Sequence, residues 1–261
     1  MRITVALGAL AALIVPAWQA QAQAGESTLR IRPGLGVQIQ PEYPGADKSE
    51  LAPIPKFSIA RGDQQFGFSA PDDSFGIGLV SSGGFSAGPS LAIQGSRKNK
   101  DVGAPLGKVK TTVEAGAFVE YQMSDSFRLR GELRKGLGGH DGLIGSVGAD
   151  KIWRDGDRYV FSVGPRLLFS DSKYQRAYFG VTPQAALATG LPAYRPDGGL
   201  HGVAAASGLN YSLGGPWGVF GYARYERLVG DARKSPVVKE LGSPNQLSAG
   251  LGVNYIFTMR K

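Results

Sequence analysis

The sequence predicts an all-β protein, a transmembrane antiparallel β-barrel of about twelve strands with short periplasmic turns and longer extracellular loops. Two observations predict it. After residue 25, runs of about ten residues alternate between apolar and polar side chains and are separated by turn residues, which is the barrel signature. The connections between those runs are short on one side and mostly long on the other, an asymmetry that a soluble β-sandwich has no reason to show. Composition agrees: 39 glycines, 16 prolines and 10% aromatics in 261 residues suit strands and tight turns better than helices. No cysteine is present, so disulfides, thiolate metal sites and thiol nucleophiles are excluded.

Residues 1–24 read as a secretory signal peptide. One Arg precedes an apolar run from Ile3 to Ala17, and small residues follow the A-x-A rule up to Ala24. The run is short for a spanning helix. No later stretch approaches 18 consecutive apolar residues, so the strands must do any crossing. Residues 25–261 then form one outer-membrane barrel. The net charge of +8 fits anionic partners, lipopolysaccharide and outer-membrane lipid among them, and export makes nucleic acid an unsuitable one.

The first strand spans 29–40, where Leu29, Ile31, Leu35, Val37 and Ile39 alternate with Arg30, Arg32, Gly34, Gly36, Gln38 and Gln40. Runs at 52–61, 64–70 and 74–81 follow, their edges blurred by Pro53, Pro55 and short spacing. Then come 84–97, 110–122, 126–137, 142–153, 157–170, 199–213, 216–228 and 245–258, twelve in all. With the amino terminus in the periplasm, the turns at 62–63, 82–83, 123–125, 154–156 and 214–215 fall on that side. An even strand number returns the carboxyl terminus to it.

The run "DSFRLRGELRKGLGGH" decides which face meets lipid. If extended, Phe127, Leu129, Gly131 and Leu133 point one way and Arg128, Arg130, Glu132 and Arg134 the other. An Arg facing lipid costs roughly 2–4 kcal/mol at the midplane. Three would approach a typical domain's whole stability of about 5–15 kcal/mol. The charges therefore belong inside, where Glu114, Glu120, Asp150, Arg166, Arg224 and Glu226 on neighbouring runs also point. A barrel of this size is too narrow for a wide pore unless its lumen is left unfilled. Trp153, Tyr159, Tyr211, Trp217, Tyr255 and Phe257 sit at strand ends beside periplasmic turns or the terminus, as an interfacial aromatic girdle would.

Three motifs bear on chemistry. "GFSAG" matches the nucleophile elbow, but Ser86 lies inside an alternating run and not at a strand-to-helix turn. His140 beside Asp141 offers a general base in principle; adjacent loop residues rarely form such a pair, and a tight turn explains them. The other histidine, His201, completes no zinc pattern. The protein is expected not to be an enzyme and to need no cofactor or metal. In the long segment 171–198, "TPQAALATG" predicts a short helix with Thr182 as N-cap, Pro183 at its first position and Gly190 as its stop. Segments of that length usually have a task; the alternatives for this one are capping the lumen, binding a partner and packing on the rim.

The blocks "PEYPGAD", "LRKGLGGHDGL", "YFGVTPQAALATGLPAY" and "LVGDARKSPVVKELGSPNQLSAGLGVNYIF" together resemble the MipA/OmpV family of outer-membrane proteins. The resemblance covers essentially all of 25–261. It implies an outer-membrane barrel of a Gram-negative bacterium that links a lytic transglycosylase to a penicillin-binding protein in murein metabolism. The alternative class is a narrow channel or surface-binding protein using the charged lumen or the 171–198 segment.

Overall fold

The computed structural model describes residues 28–259; the signal peptide expected at 1–24 lies outside them. Thirteen strands make one antiparallel sheet that curls on itself. They are β1 (Leu29–Pro41), β2 (Ser49–Arg61), β3 (Phe75–Gly76), β4 (Val80–Ser82), β5 (Phe85–Gln94), β6 (Thr112–Ser124) and β7 (Phe127–Leu137). There follow β8 (Leu143–Asp155), β9 (Tyr159–Ser170), β10 (Gly199–Gly214), β11 (Trp217–Leu228), β12 (Asn245–Tyr255) and β13 (Phe257–Met259). β5 to β12 pair each with the next, β12 and β13 pair with β1, and β1 pairs with β2.

Register sorts the faces. Gly34 opposes Asn254, Leu129 opposes Ala149, and Val163 opposes Ser207, so directly opposed residues share parity and therefore share a side of the sheet. The one slip in β9–β10, between Leu200 and Gly202, is a bulge that restores this parity. Odd-numbered residues consequently face out along the long strands. Leu133 and Leu251 are 58% and 68% exposed, whereas Arg128 is 2% exposed. The apolar face is outside and the ionic face inside, an inversion that only a hydrocarbon surround makes favourable. Lys151, an outward cation near the end of β8, lays its ammonium 4.2 Å from the Phe127 ring, as a side chain snorkelling at an interface would.

The third expected strand is not one. Residues 62–74 pair with no strand; between turns at 62–63 and 71–72 they enter the lumen from the short-turn end and climb its inside. The chain re-enters the wall halfway up as β3 and descends through β4, so the fourth run is two fragments on the edge of β5. A period-2 pattern reports an extended backbone, whether or not a neighbour completes its ladder. The sheet's two ends, β2 and β3–β4, share no ladder.

The other end of the barrel carries five short helices, α1 (Asn99–Val102), α2 (Ser172–Phe179), α3 (Pro183–Thr189), α4 (Gly230–Lys234) and α5 (Pro236–Glu240). α3 is the helix foreseen. Thr182 accepts from the Ala185 amide at 3.1 Å, and Gly190 closes the helix at φ 75°. These helices and loops bury Tyr43, Val102, Val181 and Val237 in one cluster, and Tyr174, Tyr178, Phe179 and Leu228 in another. Segment 171–198 is thus part of a packed cap over the barrel mouth.

Candidate functional site: the ion-paired lumen

Every charged lumen residue singled out above lies on the inner face, and five strands, β6 to β9 and β11, bring them together. On β7, Arg128 donates to Asp150 of β8 at 2.6 Å; Arg130 reaches Glu120 of β6 at 3.0 Å and Glu132 at 3.0 Å. Arg134 binds Glu114 of β6 at 2.9 Å and also Glu132. Arg166 of β9 shares Asp150 at 2.7 Å, while Arg224 and Glu226 of β11 pair at 2.7 Å. Cationic faces lie over rings as well: Arg130 is 3.9 Å from Phe118 and Arg128 is 4.6 Å from Phe68.

Two central members were not foreseen. Asp72 and Asp73 come from the lumenal segment. Asp73 accepts Arg128 at 2.7 Å, and Asp72 accepts Arg166 at 2.9 Å and lies 3.6 Å from Arg224. Their pairing is set by contacts 55 and 94 residues away, beyond the reach of a periodicity argument. The local signal was "APDDS", two adjacent acids after a proline, which fits a strand poorly.

The same segment is clamped at the short-turn end. Asp157 accepts the Phe66 amide at 3.0 Å, Arg30 donates to the Gly62 carbonyl at 3.1 Å, and Arg154 donates to the Phe66 carbonyl. Phe66 is fully buried beneath the Arg32 guanidinium, 4.1 Å away. Pro71 passes over Gly208 of β10, where a Cβ would come within 3.0 Å of its ring; glycine lets the segment lie against the wall. Between this plug and the cap remains a cavity of about 360 Å³ whose lining includes Arg130, Glu132, Arg166 and Arg224.

His140 does not pair with Asp141. Its Nε2 meets Glu114 Oε1 at 3.1 Å and its Nδ1 accepts the Gly142 amide, while Asp141, at φ 50°, accepts from Gly138. The imidazole is buried with its edge toward Tyr174, tying the cap to the network. His201 meets Ser170 at 3.0 Å, and the Ser86 hydroxyl meets only the Ser81 hydroxyl, at 3.4 Å. At the opposite end, Trp217 stands edge-on to Tyr255 at 4.9 Å, and Tyr255 lies 4.7 Å from Phe257. Trp153 opposes Phe161, and Tyr159 opposes Tyr211, on the adjoining strands of that same end.

An apolar exterior, an ion-paired lumen, short turns at one end and a looped cap at the other define an outer-membrane β-barrel. Residues 34–257 match the family model for MltA-interacting protein MipA, and the chain belongs to that family. Among solved structures, an outer-membrane channel of Pseudomonas putida F1 is similar at 8% identity and TM-score 0.43, covering 93% of this chain and 100% of that one. The DcaP channel of Acinetobacter baumannii is similar at 10% and 0.39, covering 91% and 99%; the KdgM porin at 10% and 0.37, covering 88% and 99%. No curated protein matches the chain in sequence.

Proposed function

We propose that this barrel is a non-catalytic scaffold in the outer membrane of a Gram-negative cell, holding a lytic transglycosylase close to a penicillin-binding protein during murein metabolism. The observation that carries the reading is membership of a family described by its interaction with MltA. The lumen supports it: charges that could serve a passing solute are spent on one another and on residues 62–74.

Docking from the periplasm falls to the short turns. Arg154 is turned inward to hold Phe66, so the 155–158 turn, where Asp155 and Arg158 are 58% and 71% exposed, is the better surface. Affinity capture with the purified barrel tests the scaffold. It should retain both enzymes and lose the transglycosylase when Asp155→Ala and Arg158→Ala are combined with replacement of the 215–216 and 125–126 turns. Retention after all the short turns are exchanged would overturn docking from below. The second reading, a narrow channel or surface binder, rests on the 360 Å³ cavity beneath the cap. Steady charge-selective current in planar bilayers, altered by Arg130→Ala, would favour it.

A further inference from the structure

The wall has a seam. Along its free edge β2 pairs with nothing among the described residues, and the facing β3–β4 fragments cover only the lower half of the gap. Unpaired backbone amides in hydrocarbon are costly, and Pro53 and Pro55 remove two from β2. Inside this seam lies a cavity of about 200 Å³, bounded by the 67–75 segment and the inner faces of β9–β11 and reaching β2 and β3. Its lining includes the outward Pro55, Phe57 and Phe75 together with the inward Arg32, Lys56 and Phe68.

Its charge is mostly positive: Arg32, Lys56 and Arg154 line it against one carboxylate, Asp73, which is already paired with Arg128 at 2.7 Å. Arg32, 8% exposed, and Lys56 have no carboxylate within 4.0 Å among the described residues; every arginine of the central network has one. Lys56 is 5.3 Å from the Phe220 ring, and Arg32 stacks on Phe66, so both cations meet chiefly aromatic faces. The buried Ser74 hydroxyl, also in the lining, has no partner. Buried cations without a counter-charge are unfavourable, and an anionic group placed between them gains charge-assisted hydrogen bonds.

We propose that the β2–β3 seam is a lateral site for a fatty carboxylate drawn from the bilayer. The carboxylate lies between Lys56 and Arg32, and the chain leaves between Phe57 and Phe75 into hydrocarbon. The volume admits a head group and the first methylenes of one chain, not the two chains of a phospholipid. A resident chain would also cover the open edge of β2.

The test uses the full barrel folded into phosphatidylcholine nanodiscs, a palmitate carrying a diazirine in its tail, and peptide mapping after photolysis. Labels should concentrate in residues 54–58 and 75–79, fall about tenfold in Lys56→Gln and return in Lys56→Arg. Heat-modifiable gel mobility checks that each variant is folded. The site is overturned if labels spread evenly around the barrel, if Lys56→Gln leaves them unchanged, or if the hexadecanol or lysophosphatidylcholine analogue labels the seam as well as palmitate does.

Discussion

Replacing Arg128 with Met removes the most enclosed junction of the network while keeping most of the side chain's volume. Two short ion pairs vanish, 2.7 Å to Asp73 and 2.6 Å to Asp150, and those carboxylates are only 7% and 1% exposed. Breaking a buried pair from one side costs roughly 3–5 kcal/mol because the remaining charge stays desolvated. Here each carboxylate keeps something: Asp150 still has Arg166 at 2.7 Å, and Asp73 has the Ala70 amide at 2.8 Å with Arg130 at 3.6 Å. The expectation therefore sits at the lower end, about 3 kcal/mol, a more than hundredfold change in the folding equilibrium. Reversible urea unfolding in phosphocholine vesicles, followed by the fluorescence of Trp153 and Trp217, measures it. Asp73→Asn added to Arg128→Met should recover part of the loss, since the pair is coupled. The control is the next residue outward: Leu129→Arg should cost about 2–4 kcal/mol by exposing a charge to lipid, with the lumen intact. A loss below about 1 kcal/mol for Arg128→Met would refute the reasoning, because the buried carboxylates would then not depend on it.

Other consequences are briefer. Gly208→Leu should push Pro71 off the wall, and proteolysis with mass mapping should then cut within residues 62–74 at least as fast as in Arg128→Met; equal protection in the variant and the parent would contradict the packing. Thr182→Ala removes the α3 cap and should lower the cap's local stability by about 1 kcal/mol, read by hydrogen exchange at Ala185, with the barrel's global unfolding unchanged. Burial pushes the Tyr43 phenol, in the loop after β1, up to about 12. Its neutral form is thus favoured when folded: the contribution is complete below the ordinary tyrosine range and is lost as pH rises from about 10 towards 12. Ultraviolet titration should show this buried phenol ionising after the exposed ones, and Tyr43→Phe should remove its share of the dependence.

The alternation of Leu129 and Leu133 with Arg128, Arg130 and Arg134 was enough to determine the barrel and its polarity, because a charge facing lipid costs more than the fold can spare. The cap helix at 183–189 was legible too, since Thr182, Pro183 and Gly190 act through bonds within one turn. Tertiary structure alone decided that residues 62–74 fill the lumen. An extended segment has the same local pattern whether its neighbours are strands or the arginines of a channel wall, and Asp72 and Asp73 found Arg166 and Arg128 only once the sheet had curled around them. For the same reason His140 turned from its neighbour Asp141 to Glu114, 26 residues away, and the gap beside β2 could not be read from either edge: each of these facts belongs to pairs that sequence separates and curvature joins.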